Sequence, residues 1–214
     1  MSFFENRRIL GFVLWLVGIL IVADGIACIV AGITGDSNSF IPDDLNNRGM
    51  YAAISGIGAI ISGLIYLIFS AGISRGMVSI KIDILAGLTR IVGLSTIIGG
   101  LFDGAALLVG GSDAVGAIVG TVISVLIGAI VIWVAGRIND GRRDVGDIII
   151  WIVMLVLMVI LVAALFLGLI GAAAAFDLGM VIIIVEIVAR LIIYLFVIAF
   201  LFDREVRSQM GMAS

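Results

Sequence analysis

The sequence predicts an all-α polytopic membrane protein, a single integral membrane domain over residues 1–214 folded as a six-transmembrane-helix bundle. Three observations lead there. The 214-residue chain is 63% hydrophobic and only 13% charged. Its mean hydropathy of +1.37 is more than one water-soluble domain of this size can hide. Apolar runs long enough to cross a bilayer, roughly 20 residues each, follow one another with almost nothing between them. The basic residues, finally, cluster on alternate loops.

The first span, 9–33, opens after Arg7-Arg8 and stays apolar through Ile33. It reads as a retained helix rather than a cleaved signal, because Asp24 would sit in the cleavage region and no small-residue pair frames a cut. Cys28 within it reads as a small apolar core residue. The second span, 50–73, carries Ser55, Ala59 and Gly63 along one face. The third, 84–110, adds Gly100 and Gly104, and the fourth, 115–137, carries Gly116, Gly120, Ser124 and Gly128 at intervals of four. Lipid tails are as apolar as leucine, so helices in a bilayer associate through close backbone approach at small residues. These stripes predict that spans two to four form the tight centre, or offer a face to a homo-oligomer or a membrane-protein partner. The fifth and sixth spans, 148–172 and 178–202, are dominated by bulky side chains and are expected to present more surface to lipid.

If the spans alternate, nine basic residues (Arg7, Arg8, Arg75, Lys81, Arg137, Arg142, Arg143, Arg204 and Arg207) fall on one side and only Arg48 on the other. The positive-inside rule then places both termini in the cytoplasm of a cell-membrane protein, and the bias itself favours an even span count. Trp133 and Trp151 flank the basic 137–147 loop, where an indole keeps its ring among headgroups and its N–H wet.

An internal repeat is expected. An offset of 64 aligns Asp83 with Asp147, Gly104 with Gly168 and Asp113 with Asp177, and one hairpin earlier it aligns Gly56 with Gly120 and Ala71-Gly72 with Ala135-Gly136. Asp24-Gly25-Ile26-Ala27 falls on Asp103-Gly104-Ala105-Ala106 at a larger offset, the difference being taken up by the longer loop 34–49. The reading is three pseudo-repeated helical hairpins. The spacing of Gly18-Ile19-Leu20 to Gly25-Ile26, with six spans in hairpins, resembles the HdeD-like acid-resistance membrane proteins, also built of repeated helix pairs. The resemblance covers one or two helices, and the proline that tends to end the first helix of that family's hairpins is absent, so it assigns no family.

Five ionisable residues lie inside the spans: Asp24, Arg90, Asp103, Glu186 and Arg190. Each would cost about 2.5–3.5 kcal/mol at a helix centre, so they must be paired, hydrated or able to snorkel. At 1.5 Å per residue the three carboxylates lie about 10–15 Å below the outer surface, in one slab. Arg190 follows Glu186 by one turn in the favourable acid-before-base order, which predicts a Glu186–Arg190 staple completed across helices by Asp24 or, second, Asp103. Arg90 sits about 9 Å from the inner boundary and reaches headgroups with its side chain. Two roles follow for these groups. They brace the bundle, or they line a polar path in which one carboxylate's charge depends on its neighbours.

Composition excludes much chemistry. Histidine is absent and cysteine and proline occur once each, which removes histidine catalysis, His or Cys metal cages and intrachain disulfides. Asp24-Gly25 and Asp103-Gly104 match the start of the acidic signature of the CDP-alcohol phosphotransferases. Cys28-Ile29 and Leu107-Leu108 then stand where that signature needs Ala-Arg, and its further aspartates are missing. Neither aspartate has the Gly-x-Gly-Asp setting of an intramembrane aspartyl protease. The loop from Gly35 to Asn47, with Asp36, Asp43, Asp44 and Pro42, reads as a solvated turn, and nothing supports nucleic-acid binding. The expectation is a non-enzymatic membrane protein with no cofactor and no metal, in contact with the lipid bilayer. A structural or accessory role is preferred, because proline-free helices and short loops suit a static bundle, and a small channel or transporter using the intramembrane carboxylates is the alternative.

Overall fold

A computed structural model describes residues 7–34, 45–78, 80–111, 113–138, 145–174, 180–210 and 212. Within them the chain is helical: α1 (Arg7–Thr34), α2 (Arg48–Ser74), α3 (Lys81–Gly110), α4 (Ala114–Ile138), α5 (Val145–Ala174), α6 (Met180–Phe202) and a short α7 (Arg204–Gln209). Every expected span coincides with a helix to within a few residues. Five helices, α1 to α5, are long and apolar enough to cross a membrane. In α6 the apolar stretch within the described residues is Ile187–Phe202. Asp36, Pro42, Asp43, Asp44, Arg142, Arg143 and Asp177, and the side chains of Asp147 and Glu186, lie outside the described residues.

Local chemistry sets the helix ends. Asn47 starts α2, its side-chain oxygen accepting from the Met50 N–H at 3.2 Å. Asp113 starts α4 in the same way, taking the Val115 and Gly116 N–H groups at 3.1 Å each. Asp83 lies in the first turn of α3, where a carboxylate suits the positive end of the helix dipole. Two of the aspartates on which the repeat alignment rests therefore do what aspartates do at any helix start, and their recurrence carries less weight than their spacing suggested. Gly111 ends α3 at φ +84°, with its N–H turned back onto Leu107 and Leu108.

Side-chain contacts fix the antiparallel register. On α1 and α2, Gly18 packs into Gly63 and Gly25 into Gly56, and a Cβ added at Gly25 would sit 2.5 Å from the Gly56 carbonyl oxygen. The Ser70 hydroxyl donates to the Gly11 carbonyl at 2.8 Å near the other end of the same pair. On α3 and α4, Gly93 packs into Gly128 with the same surroundings, each glycine meeting the partner glycine's carbonyl and an isoleucine one turn beyond it. Helices α2 and α3 join the two hairpins: Gly58 lies under Phe102, Gly87 under the Phe69 ring, and the Asn47 N–H donates to the Gly110 carbonyl at 3.1 Å.

The centre differs from the one the small-residue stripes predict. Helix α4 is mostly peripheral, exposing Ile118, Val119, Val122, Ile123, Leu126 and Trp133. Helix α6, with no glycine in its span, is central instead, burying Ile193, Phe196, Val197 and Leu201 against α1, α3 and α5. The physical reason is that small residues govern how near two backbones come, not how many neighbours a helix has. A bulky helix wedged among several others is buried at a larger spacing. Helix α5 meets the expectation for the fifth span, with Ile152, Val159, Phe166 and Leu167 exposed. Cys28 is buried with Ala31, Leu45 and Ala52, as a small apolar residue.

The end of the bundle holding the start of α3 and the end of α6 is fastened by polar contacts. Lys81 Nζ donates to Asp203 Oδ2 at 2.8 Å and lies 3.3 Å from Glu205 Oε2. Asp203 also caps α7, its Oδ1 accepting from the Glu205 N–H at 2.9 Å. Burial works to raise the Asp203 pKa, but the Lys81 ammonium and the α7 backbone N–H groups outweigh it and hold the carboxyl below its ordinary value. The Trp151 indole N–H, expected to stay wet, instead donates to the Leu201 carbonyl at 2.8 Å, with the ring edge-on to Phe202.

Candidate functional site

Between the α3/α4 hairpin and the α5/α6 pair lies a cleft of about 460 Å³. It follows from the packing. Glycines draw α3 and α4 together at Gly93–Gly128, and among the described residues no comparable small-residue contact draws α5 onto α4. The lining runs along α3 from Val92 to Leu107 and along α4 from Gly116 to Ser124, so it reaches within a turn of the ends of α3 and α4 remote from Lys81. Gly99 and Gly120 are part of the wall, and a Cβ at either would meet nothing within 4 Å.

Charge enters this space from two helices. Asp103 of α3 and Arg190 of α6 both line the cleft, and the guanidinium acts electrostatically on the carboxylate. The Ser55 hydroxyl on α2 donates to Asp103 Oδ1 at 2.8 Å, while the Asp103 side chain stays exposed. Tyr66 and Tyr194 add phenol rings, and Tyr194 also feels the Arg190 charge. Of the smaller hydroxyls on the wall, Thr96 and Thr121 donate to their own helix carbonyls, Val92 and Ala117, each at 2.8 Å. Their oxygens remain acceptors toward the cleft. An acid, a permanent cation and several hydroxyls thus share one space beside α3, α4 and α5, three of the helices long and apolar enough to span a membrane. Such a surface can solvate water, an ion or a small polar molecule.

The five intramembrane charges divide as follows. Asp103 and Arg190 come together. Asp24 of α1 is half-buried and is not part of the cleft lining. Asp103, held by the Ser55 hydroxyl of α2, lines the same cleft as Arg190. Asp24 and Asp103 both lie near enough to Cys28 to act on it electrostatically. Arg90 is exposed on the outside of α3, in keeping with a side chain reaching for headgroups. The Glu186 side chain lies outside the described residues.

Sequence reasoning missed the hydroxyl and tyrosine lining. Ser95, Thr96 and Thr121 are scattered among apolar residues, and Tyr66 is one aromatic in a hydrophobic run. A signal was present: these hydroxyls fall on the same faces as Gly99, Gly100, Gly120 and Ser124, the pattern of a polar wall without bulk. Compared with protein-family models, with curated proteins and with solved structures, the chain finds no match.

Proposed function

We propose that the protein is a non-enzymatic integral membrane protein of the cell membrane, and that it is a small channel or transporter for an ion, a proton or a small polar solute. The observation that carries this reading is the cleft holding Asp103 and Arg190. A static bundle gains nothing from a polar void, because each charge there is stabilised better by close packing against a partner than by open space. A passage needs such a void, and a carboxylate beside a fixed guanidinium can take up and release a cation or proton as its surroundings change.

In this reading α6 is the sixth span and both termini are cytoplasmic. The antiparallel order supports it by gathering Arg7, Arg8, Arg75, Lys81, Arg137, Arg204 and Arg207 at one end of the bundle, with Arg48 at the other. Three pseudo-repeated hairpins remain part of the proposal. The matching Gly25–Gly56 and Gly93–Gly128 contacts favour them, though these glycines are not the pairs aligned by the offset of 64.

Reconstitution in vesicles tests the function. With a pH-sensitive or cation-sensitive dye inside, the wild type conducts, and Asp103→Asn lowers flux at least tenfold while eluting as a folded protein. A second reading, a structural or accessory component working through a homo-oligomer or membrane-protein partner, is favoured by the close glycine packing and by the Ser55 bond that satisfies Asp103. Absence of any flux, together with an Asp103→Asn variant altered only in stability, would establish that reading instead.

A further inference from the structure

A second recess lies at the other end of the molecule, between the first turns of α1 and the last turns of α2, with a volume of about 550 Å³. Its lining is ordered along the helix axis. Arg7 and Arg8 stand at the mouth, Phe12 and Trp15 follow one and two turns deeper, and Leu67 of α2 lies further in. At 1.5 Å per residue, Trp15 is about 12 Å along the axis from Arg7. Phe12 and Trp15 are stacked with centroids 6.0 Å apart, and both are largely exposed.

The recess exists because both helices are small where they meet. Gly11 lets Ser74 approach closely and Ser70 is drawn onto the Gly11 carbonyl, so only small side chains form the floor where the helices meet, between the bulkier Phe12, Trp15 and Leu67. Two cations, then two aromatic rings, then aliphatic wall is the order in which a phospholipid presents an anionic headgroup, its glycerol region and its acyl chain. We propose that this recess binds one anionic phospholipid, the phosphate against Arg7 and Arg8 and the chain along Trp15. The inference is independent of what occupies the cleft. A separate groove along α2, lined by Ile65, Ile68, Phe69 and Ile91, has Arg75 as its one cation among the described residues and serves as an internal comparison.

Trp15 supplies a local reporter. The protein is reconstituted in phosphatidylcholine vesicles containing a small fraction of lipid with brominated chains, bearing either a phosphatidylglycerol or a phosphatidylcholine headgroup. The Trp15 contribution to fluorescence quenching is the difference between wild type and W15F, a change at a lipid-exposed ring. The expected result is preferential quenching by the brominated anionic lipid, with a relative association constant raised on the order of fivefold per arginine. That preference falls to near unity in R7Q/R8Q and persists in R75Q. Raising the salt from about 0.05 to about 0.5 M weakens it in the wild type, a readout that needs no variant at the arginines. Equal quenching by the two lipids, a preference that survives R7Q/R8Q, or one indifferent to salt overturns the proposal.

Discussion

Replacing Gly25 by alanine tests the packing on which the architecture depends. The added Cβ would lie 2.5 Å from the Gly56 carbonyl oxygen, 2.9 Å from Ile60 Cγ1 and 3.0 Å from the Ile60 backbone nitrogen. Ordinary contact needs about 3.5 Å, so the shortfall is about 1 Å, and two of the three atoms are backbone that no rotamer change can move aside. The helices must separate there. A gap of that size forfeits roughly a quarter to a half of each dispersion contact along the seam, including Gly18 against Gly63. Overpacking of this kind costs about 1–3 kcal/mol.

Two other glycines calibrate the result. At Gly87 the new Cβ meets the tip of the Phe69 ring, which can rotate, and at Gly136 it meets nothing within 4 Å. Equilibrium unfolding by sodium dodecyl sulfate in mild-detergent micelles, followed by tryptophan fluorescence, should rank the variants Gly25→Ala, then Gly87→Ala, then Gly136→Ala from most to least damaged. Gly136→Ala should be neutral or slightly stabilising, since alanine is the better helix former by up to about 1 kcal/mol. If Gly25→Ala unfolds with the same midpoint as Gly136→Ala, the α1/α2 seam is not the close backbone contact described, and the argument from small residues fails.

Asp203→Ala removes a helix cap and the Lys81 ion pair together and should cost about 1–2 kcal/mol at neutral pH. Because the Asp203 pKa is lowered on folding, its contribution is full above the ordinary carboxylate value of about 3.9 and is lost as pH falls through the lower folded value. The gap between wild type and variant should therefore close in acid, and melts that keep it open at low pH would refute the assignment. Trp151→Phe removes the 2.8 Å bond to the Leu201 carbonyl and should cost about 0.5–1.5 kcal/mol, read as a lower thermal midpoint. Arg190→Leu should lower folded yield by stranding a carboxylate, and the double variant that restores it, with Glu186→Leu or with Asp103→Leu, identifies the acid that Arg190 holds. Equal damage in the single and both double variants would show that Arg190 pairs with neither.

Helix positions were legible because the signal behind them is one-dimensional. A bilayer demands a run of apolar residues of fixed length, and the runs in this chain are separated by charge or turn residues that also cap helices, as Asn47 and Asp113 do. Neighbour relations were only half legible. Glycine marks where two backbones approach, so the seams at Gly63 and Gly128 could be read from the stripes. The central place of α6 could not, because Phe196 and Leu201 look alike in sequence whether they face lipid or protein. The site was the least legible part. Depth along a helix is a count of residues, and that count singled out Asp24, Asp103 and Arg190 as charges within the apolar runs. Which of them meet depends on azimuth and on the order of helices around the bundle, and neither is encoded in spacing along one helix. Asp103 lines the cleft and is reached by Ser55 of α2, whereas Asp24 of α1 is not part of the lining. The cleft itself arises from a difference between interfaces, tight at α3/α4 and loose at α4/α5, and a void of that kind has no residue of its own to announce it.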